Sequence, residues 1–329
     1  MTEIIRVKNL HKNFRVARRG RGWSGAIRNL IAPEFNEVRA VDGVSFSLRE
    51  GELVGYLGPN GAGKSTTLKI LTGLLVPTSG EVEVNGYLPW KDRTRYVAQI
   101  GAVFGQRTTL WWDLPVSDSF ELMRYMYQIP EARFRNNLRD FIDLLEIDSF
   151  LNTPVRSLSL GQRMRADLVA ALLHEPPLLF LDEPTIGLDV VAKERIRQFI
   201  HTIHNRGRTT IILTTHDLSD VEKLCERVII LDLGRVLYDG SLDTLIERFE
   251  DQRSLIVTFA DPVSDPTLPG IPAPHLEGRT ATYLFDGRQV TVASLIEQIF
   301  QRFRVADVEI RRPDIEETIR RIYEQKLLV

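Results

Sequence analysis

Residues 58–66 of this chain read Gly58-Pro59-Asn60-Gly61-Ala62-Gly63-Lys64-Ser65-Thr66. They follow an apolar run, Glu52–Leu57, that predicts a strand, and they precede an apolar-periodic segment that predicts a helix. The spacing G-x-x-x-x-G-K-[ST] between a strand and a helix is that of a P-loop, whose backbone N–H groups surround phosphate. Glycines allow the necessary backbone conformations, and the helix N-terminus adds positive partial charge. The sequence therefore predicts a nucleotide site in which Lys64 reaches the β- and γ-phosphates and Ser65 binds Mg²⁺.

A second motif lies near residue 180, where the apolar run Leu178–Leu181 ends in Asp182 and Glu183. A carboxylate at the end of a strand beside the P-loop strand can hold Mg²⁺ through water. The next carboxylate is then placed to orient or deprotonate an attacking water, a contribution of about 10²–10⁴-fold. The two motifs together predict a catalytic nucleotide site.

Short apolar runs alternate with helical patterns over the first 240 residues, which indicates an α/β domain with a mainly parallel sheet. The predicted strands are Ile4–Val7, Val44–Leu48, Glu52–Leu57, Glu81–Val84, Ile100–Phe104, Leu178–Asp182, Thr210–Thr214 and Val228–Leu231. Helical periodicity replaces the strand signals over about 107–173, most clearly at Ser117–Gln128 and Arg133–Glu146. We therefore expect a helical subdomain inserted in the sheet domain.

The composition changes after residue 240. Five prolines between Asp261 and Pro274 exclude a helix or a central strand there and predict a loop. The flanking segments predict strands at Ser254–Phe259, Thr280–Phe285, Gln289–Val292 and Val305–Ile310, and helices at Ala293–Phe303 and Asp314–Gln325. We expect a nucleotide-binding domain over 1–240 and a small α+β accessory region over 241–329.

Composition and charge narrow the function classes. The chain has 42 basic and 44 acidic residues, a net charge of −2, which argues against wholesale electrostatic binding of nucleic acid. Its single cysteine, Cys225, excludes a disulfide framework and a multi-cysteine zinc or iron–sulfur site. No run approaches the roughly 18 apolar residues of a membrane span, and the charged start is unlike a signal peptide. We expect a cytoplasmic protein that reaches a membrane only through a partner.

The order of motifs over residues 1 to about 240 resembles the ATPase subunit of an ATP-binding cassette (ABC) transporter. Leu158-Ser159-Leu160-Gly161-Gln162 resembles the family's signature, although the family usually has glycine where Leu160 stands. Gly187-Leu188-Asp189 matches the D-loop, and Thr214-Thr215-His216-Asp217 contains the switch histidine. Gln106 resembles the Q-loop glutamine, and Phe14 stands where the family stacks an aromatic ring on adenine.

The resemblance implies a P-loop core with a RecA-like parallel sheet, an antiparallel β subdomain, and ATP and Mg²⁺ as ligands. The residues implied in hydrolysis are Glu183, His216 and Gln106, and those implied at Mg²⁺ are Ser65, Gln106 and Asp182. Two chains would bury two ATP molecules, each between one P-loop and the opposite chain's signature residues, which are Ser159, Leu160, Gly161 and Gln162. Asp189 is the residue that the resemblance implies for the D-loop.

The partner implied is an integral membrane permease of the export-type class, which would hold the chain at the inner face of the cell membrane. Whether the second ATPase chain is an identical copy or a paralogue stays open, as does the transported substrate. The rival class is a soluble ABC ATPase in translation, chromosome or repair work. Such relatives usually carry two cassettes, long coiled coils or zinc cysteines, whereas this chain has one P-loop and one cysteine.

Several residues keep two interpretations at this point. Phe14 is either an adenine-stacking ring or a buried aromatic at a strand end. Trp111 and Trp112 are either packing residues of the helical subdomain or partner contacts. The segment Arg15–Ile31 contains five arginines, no acidic residue and interleaved apolar residues such as Trp23. It either contacts anionic headgroups or the permease, or is a solvated loop. The remaining histidines show no ligand spacing and are interpreted as surface or structural residues: His11, His174, His201, His204 and His275.

Overall fold

A computed structural model of the chain describes residues 2–17, 35–105, 107–207, 209–247, 252–287, 289–311, 319–320 and 322–323. They belong to two compact units, Met1–Asp239 and Gly240–Val329. The predicted Q-loop residue Gln106 and most of the arginine-rich segment, from residue 18 on, lie outside the described ranges.

The strands of the first unit are β1 (Glu3–Ala17), β2 (Phe35–Arg49), β3 (Leu53–Leu57), β4 (Ser79–Val84), β5 (Ile100–Phe104), β6 (Leu178–Asp182), β7 (Thr210–Thr214), β8 (Arg227–Asp232) and β9 (Arg235–Ser241). Its helices are α1 (Lys64–Leu71), α2 (Arg93–Val97), α3 (Val116–Met126), α4 (Glu131–Leu145), α5 (Leu160–Leu172), α6 (Val190–Asn205) and α7 (Leu218–Leu224).

The central sheet has six strands in the order β5-β6-β7-β3-β8-β9, and the first five are joined by parallel pairings. Every residue of β3 and β7 is buried, as expected of parallel strands covered on both faces. The pairing places Asp182 beside both Phe104 and Thr214. The carboxyl ends of β5, β6, β7 and β3 therefore meet at one edge, where ligands bind in sheets of this kind.

A separate antiparallel sheet has the order β2-β1-β4. One hydrophobic core joins it to α1 and to the parallel sheet, with Leu48, Tyr56 and Leu68 fully buried in it. Between β5 and β6 the chain forms α3, α4 and α5, the predicted helical insertion. The expected α/β class, with a P-loop core and an antiparallel subdomain, is confirmed.

The second unit contains α8 (Leu242–Glu247), β10 (Gln252–Phe259), β11 (His275–Glu277), β12 (Thr280–Asp286), α9 (Val292–Arg302) and β13 (Val305–Arg311). Its four strands form an antiparallel sheet in the order β11-β12-β10-β13. Val257, Phe259 and Tyr283 from the sheet and Ile299 from α9 are buried in its core. The second unit therefore has the α+β composition predicted for the end of the chain.

The predicted strand Gln289–Val292 is wrong. The N–H groups of Gln289 and Val290 both donate to Asp286 O, at 3.0 and 2.9 Å, and close a turn after β12. Thr291 then caps α9, because its hydroxyl accepts from the Ser294 N–H at 3.2 Å. The alternation of valine and threonine imitated a strand, while the capping bond ends extended structure at this point.

Two strands, β9 and β11, were not predicted. β9 follows β8 after only Leu233 and Gly234, whose φ values are 46° and 81°. A two-residue turn of this kind requires two left-handed residues, and leucine gives little signal for one. Only residues 319–320 and 322–323 of the predicted helix Asp314–Gln325 are described, and they are helical.

Candidate nucleotide site

The P-loop joins β3 to α1 through closely packed glycines. Gly63 has φ +101°, and a Cβ there would lie 2.4 Å from the carbonyl oxygen of Ala40 on β2. A Cβ on Gly58 would lie 2.7 Å from Leu231 O on β8. Only glycine fits these two positions, so the neighbouring strands fix the shape of the loop.

Lys64 begins α1, and its buried ammonium is enclosed by the loop. Its Nζ donates to Gly58 O at 2.6 Å and to Pro59 O at 3.2 Å. Burial lowers the pKa of Lys64, and the nearby carboxylates of Glu183 and Asp182 oppose that shift. Since Gly63 offers no side chain to cap α1, the first N–H groups of the helix are available to an anion.

Ser65 and Asp182 supply oxygen atoms at the same edge of the sheet. Ser65 Oγ donates to Asp182 Oδ1 at 3.3 Å, and Thr214 Oγ1 donates to the same oxygen at 2.6 Å. Hydroxyl and carboxylate oxygens are the hard ligands that Mg²⁺ prefers, and it keeps several waters besides. Two oxygen ligands of this kind beside a phosphate-binding loop therefore fit a magnesium ion that also binds phosphate.

Glu183 occupies the turn that follows β6 with φ +57°. Its N–H donates to Thr214 O at 3.0 Å, which holds the turn against β7. Its Oε2 lies 2.5 Å from Nδ1 of His216, a residue whose side chain is 58% exposed while that of Glu183 is 20% exposed. A carboxylate fixed by a histidine and open to solvent can accept a proton from water.

Ser65, Asp182, Glu183 and His216 border one cavity of about 700 Å³. It is lined by Gly58, Pro59, Asn60, Ser65, Lys69, Leu74, Phe104, Gly105, Arg107, Asp182, Glu183, Ile186 and His216. Lys69 and Arg107 were not predicted, although a basic residue five positions beyond Lys64 and one directly after Gln106 were signals that could have indicated them. Both add positive charge to an opening suited to phosphate.

A second cleft, of about 310 Å³, contains the segments predicted to be the signature and the D-loop. It is lined by Ser159, Leu160, Gly161, Gln162, Arg165, Gly187, Leu188, Asp189, Val191, Ala192 and Arg195. None of these residues also lines the first cavity. Within one chain, the structure thus brings the signature to the D-loop and not to the P-loop.

Capping bonds hold the two segments of this cleft. Ser159 Oγ accepts from the Gln162 N–H at 3.2 Å, and Gln162 Oε1 accepts from the Ser159 N–H at 2.9 Å, a capping box that starts α5. Asp189 caps α6 by accepting from the Ala192 N–H at 2.8 Å. Both segments therefore sit at helix N-termini.

Five predicted ATP-binding residues of the loop are not among the described residues that line the cavity: Gly61, Ala62, Gly63, Lys64 and Thr66. Ala62 is buried, Gly61 has φ +87° in open space, and Thr66 is half-buried on α1. Phe14 lies on β1 opposite Val38, with Lys12 Nζ 5.2 Å from its ring centre. The structure places Phe14 on a half-buried strand surface outside the cavity lining.

None of the helices in the described ranges has the length and apolar character needed to cross a bilayer. The comparisons with known proteins identify the family. Residues 41–186 match a family model described as ABC transporter. The ABC transporter ATP-binding protein NatA of Bacillus subtilis is 32% identical over 66% of this chain and 87% of its own length. The Nod factor export ATP-binding protein I of Ralstonia nicotianae is 34% identical over 66% of this chain and 67% of its own.

Among solved structures, a dimeric post-hydrolysis state of an ATP-binding cassette bound to ADP and Pi aligns with a TM-score of 0.60 and 28% identity. The alignment covers 72% of this chain and 98% of that one. These relatives give no support to a role outside transport. With a P-loop, a carboxylate–histidine pair and a signature helix on a cassette fold, the chain belongs to the ABC transporter family, as one of its ATP-binding subunits.

Proposed function

We propose that this chain hydrolyses ATP to energise a separate membrane permease, in the direction of export. The observation that carries the proposal is the 2.5 Å contact between Glu183 and His216, beside the Ser65–Asp182 pair at the rim of the P-loop cavity. A module that only binds nucleotide needs the phosphate cradle alone, whereas hydrolysis also needs a group to take a proton from water. The export named for the Ralstonia relative supports the direction.

Phosphate binding falls to the loop and to α1. The Lys64 ammonium, which donates to two loop carbonyls, would exchange them for oxygens of the β- and γ-phosphates. The uncapped N–H groups of α1 would donate to the same phosphates. Because the loop is fixed by its contacts with β2 and β8, this positive field is in place before the nucleotide arrives.

Ser65 and Asp182 would hold Mg²⁺, directly or through water, and Gln106 is proposed as a further ligand. A bound magnesium ion neutralises charge on the phosphate oxygens during phosphoryl transfer. Thr214 keeps the Asp182 carboxylate turned toward Ser65 by donating to its Oδ1.

Glu183 would orient the attacking water and accept its proton. His216 holds one carboxylate oxygen, so the other oxygen is available to the water. We assign the His216 proton to Nδ1, because this atom contacts the Glu183 carboxylate. The histidine thereby fixes the orientation of that carboxylate, and so the direction from which it accepts the proton of the water. Hydrolysis then depends on positioning and electrostatics.

The complete site would need two chains. Since the signature cleft and the P-loop cavity share no residue, Ser159 and the Gly161 N–H would serve the ATP held by another chain. The Ser159 hydroxyl accepts a bond within its own helix and still has its proton to donate. ATP offers the opposite signature a γ-phosphate that ADP lacks, so hydrolysis weakens the closed dimer. The dimeric cassette structure supports this arrangement. The second chain would be an identical copy or a paralogue.

The permease would dock on the helical subdomain and so hold the chain at the inner membrane face. Several apolar side chains of this subdomain are exposed to solvent: Trp112 is 50% exposed, Tyr125 67% and Met126 63%. An apolar surface of this kind is suited to a protein partner. No partnership with nucleic acid is proposed.

The proposal is tested by capturing the tagged chain from detergent-solubilised membranes and identifying the multispanning proteins retained. We expect a permease to be retained, and the double variant Trp112→Ser/Tyr125→Ser to lose at least tenfold of it. Leu233→Ser is the matched control, because Leu233 is 70% exposed and belongs to the β8–β9 turn, which is not part of this subdomain. Equal retention by all three proteins would contradict docking at the helical subdomain.

A further inference from the structure

A buried carboxylate lies behind the catalytic pair. Asp220, on α7, has 0% of its surface exposed and accepts three side-chain hydrogen bonds. Arg197 Nε donates to its Oδ1 at 2.6 Å, while Thr185 Oγ1 and Thr215 Oγ1 donate to its Oδ2 at 2.5 and 3.1 Å. The roles proposed for the nucleotide site do not use this group.

The two threonines belong to the two segments that carry the catalytic pair. Thr185 follows Glu183 by two residues, and Thr215 directly precedes His216. Both are buried, at 3% and 2% exposure. One carboxylate oxygen therefore ties together the segments whose side chains meet at 2.5 Å in the cavity.

The third arm of the network leads to α6, which begins at the D-loop. Arg197 on this helix also donates to Ser219 Oγ at 2.7 Å. Four residues earlier on α6, Lys193 Nζ donates to Asp217 Oδ2 at 2.6 Å. Burial raises the pKa of Asp217, but hydrogen bonds from Lys193 and Ser219 outweigh it and hold the pKa at about 2. The residues on both sides of His216 are thus held, directly or through Asp220, to the D-loop helix.

We propose that Asp220 is a positioning residue for hydrolysis: it locks the Glu183 and His216 segments to each other and to α6. This inference rests on the proposed ATP hydrolysis. A buried ion pair is weak evidence for stability, because desolvation offsets its attraction. The role of the pair here is to position the catalytic groups, because a misplacement of about 1 Å in a reacting group lowers the rate on the order of 10²-fold.

The threonine hydroxyls test this without leaving a buried charge unpaired. Thr185→Val and Thr215→Val keep the side-chain shape and each remove one donor to Asp220, while Arg197 still pairs Asp220. Thr215→Val also removes the acceptor of the Asp217 N–H, which lies 3.0 Å from Thr215 Oγ1, so Thr185→Val is the cleaner of the two variants. Thr185→Ser and Thr215→Ser keep the donor. Thr209→Val is the matched control, because Thr209 is a buried threonine at the opposite end of β7 whose hydroxyl donates to Pro176 O at 3.2 Å.

We measure kcat for ATP, the Kd for ATP and the thermal midpoint of each full-length variant, with assays well below every midpoint. Both valine variants should lose at least tenfold in kcat with Kd within twofold of wild type. The serine variants should recover kcat to within threefold, and Thr209→Val should change only the midpoint. The use of two separate threonines keeps the test valid if one variant fails to fold.

Valine variants that fold and keep kcat within twofold of wild type would overturn the inference, leaving Asp220 a structural residue. Serine variants that fail to restore kcat would overturn it as well, because the loss would then come from packing. A wild-type chain with no ATPase activity would instead contradict the proposed function itself.

Discussion

Leu160 lies against Gly187 in the same chain: its Cδ2 is 3.2 Å from the point that a Cβ on Gly187 would occupy. Leu160 is the residue that departs from the family's signature, and Gly187 opens the D-loop. A leucine in the signature is thus accommodated by a glycine in the facing loop. The contact links the two segments that border the second cleft.

This contact predicts an unequal cost for two glycine substitutions. Gly187→Ala and Gly207→Ala face the same backbone strain, with φ values of +69° and +68°, but nothing lies within 4 Å of a Cβ on Gly207. The strain alone costs about 1–2 kcal/mol. We expect Gly187→Ala to lower the free energy of unfolding by more than Gly207→Ala, as measured by urea denaturation. The excess should vanish in a Leu160→Gly background, and its persistence there would contradict the contact.

A second prediction separates the two halves of the composite site. Lys64→Ala should lose ATP affinity in the monomer, because its ammonium is proposed to contact phosphate on the same chain. Ser159→Arg should keep monomer affinity within about twofold yet abolish hydrolysis, since Ser159 is proposed to serve the opposite chain's ATP. Equilibrium binding of a fluorescent ATP analogue and steady-state ATPase rates check both. Equal loss of binding in the two variants would contradict the cross-chain assignment.

A third prediction concerns acid stability. Burial lowers the pKa of His174 to about 4, while its Nε2 contacts Ile100 O at 3.0 Å and its ring stacks on Tyr127. In the unfolded chain His174 therefore binds a proton near its ordinary pKa of 6.5, whereas in the folded chain it binds one only near pH 4. Stability from neutral His174 is complete above pH 6.5 and falls as the pH drops toward 4.

His174→Gln, which can still donate to Ile100 O, should remove that share of the pH dependence. We expect the difference in unfolding free energy between wild type and variant to shrink from pH 7 to pH 4.5, measured by urea denaturation. A difference that stays constant over this range would contradict the assignment to His174.

Much of the fold could be predicted from the sequence, because the local apolar patterns match the secondary structure that forms. β5, β6 and β7 have the predicted bounds, since continuous apolar runs are what a doubly covered parallel sheet requires. The P-loop was equally clear, because its glycines are demanded by close backbone contacts.

What the sequence could not supply were contacts between distant segments. Asp167 looks like an exposed residue of α5, yet it is buried and accepts from Thr108 Oγ1 and the Thr109 N–H, both at 2.9 Å. Asp220 is hidden in the same way. A lone aspartate in a helical pattern carries no sign of its partners, so polar networks of this kind emerge only when the chain is folded.

The central claim is that Glu183 takes or orients the water proton, and Glu183→Gln tests it most directly. The substitution keeps the shape but removes the base, so hydrolysis should slow by about 10²-fold or more. ATP binding should be preserved, and the variant should elute as an ATP-bound dimer in size-exclusion chromatography with ATP and Mg²⁺. Glu222→Gln, at an exposed position on α7, is the control and should hydrolyse ATP as wild type does. Wild-type turnover by Glu183→Gln would contradict the account.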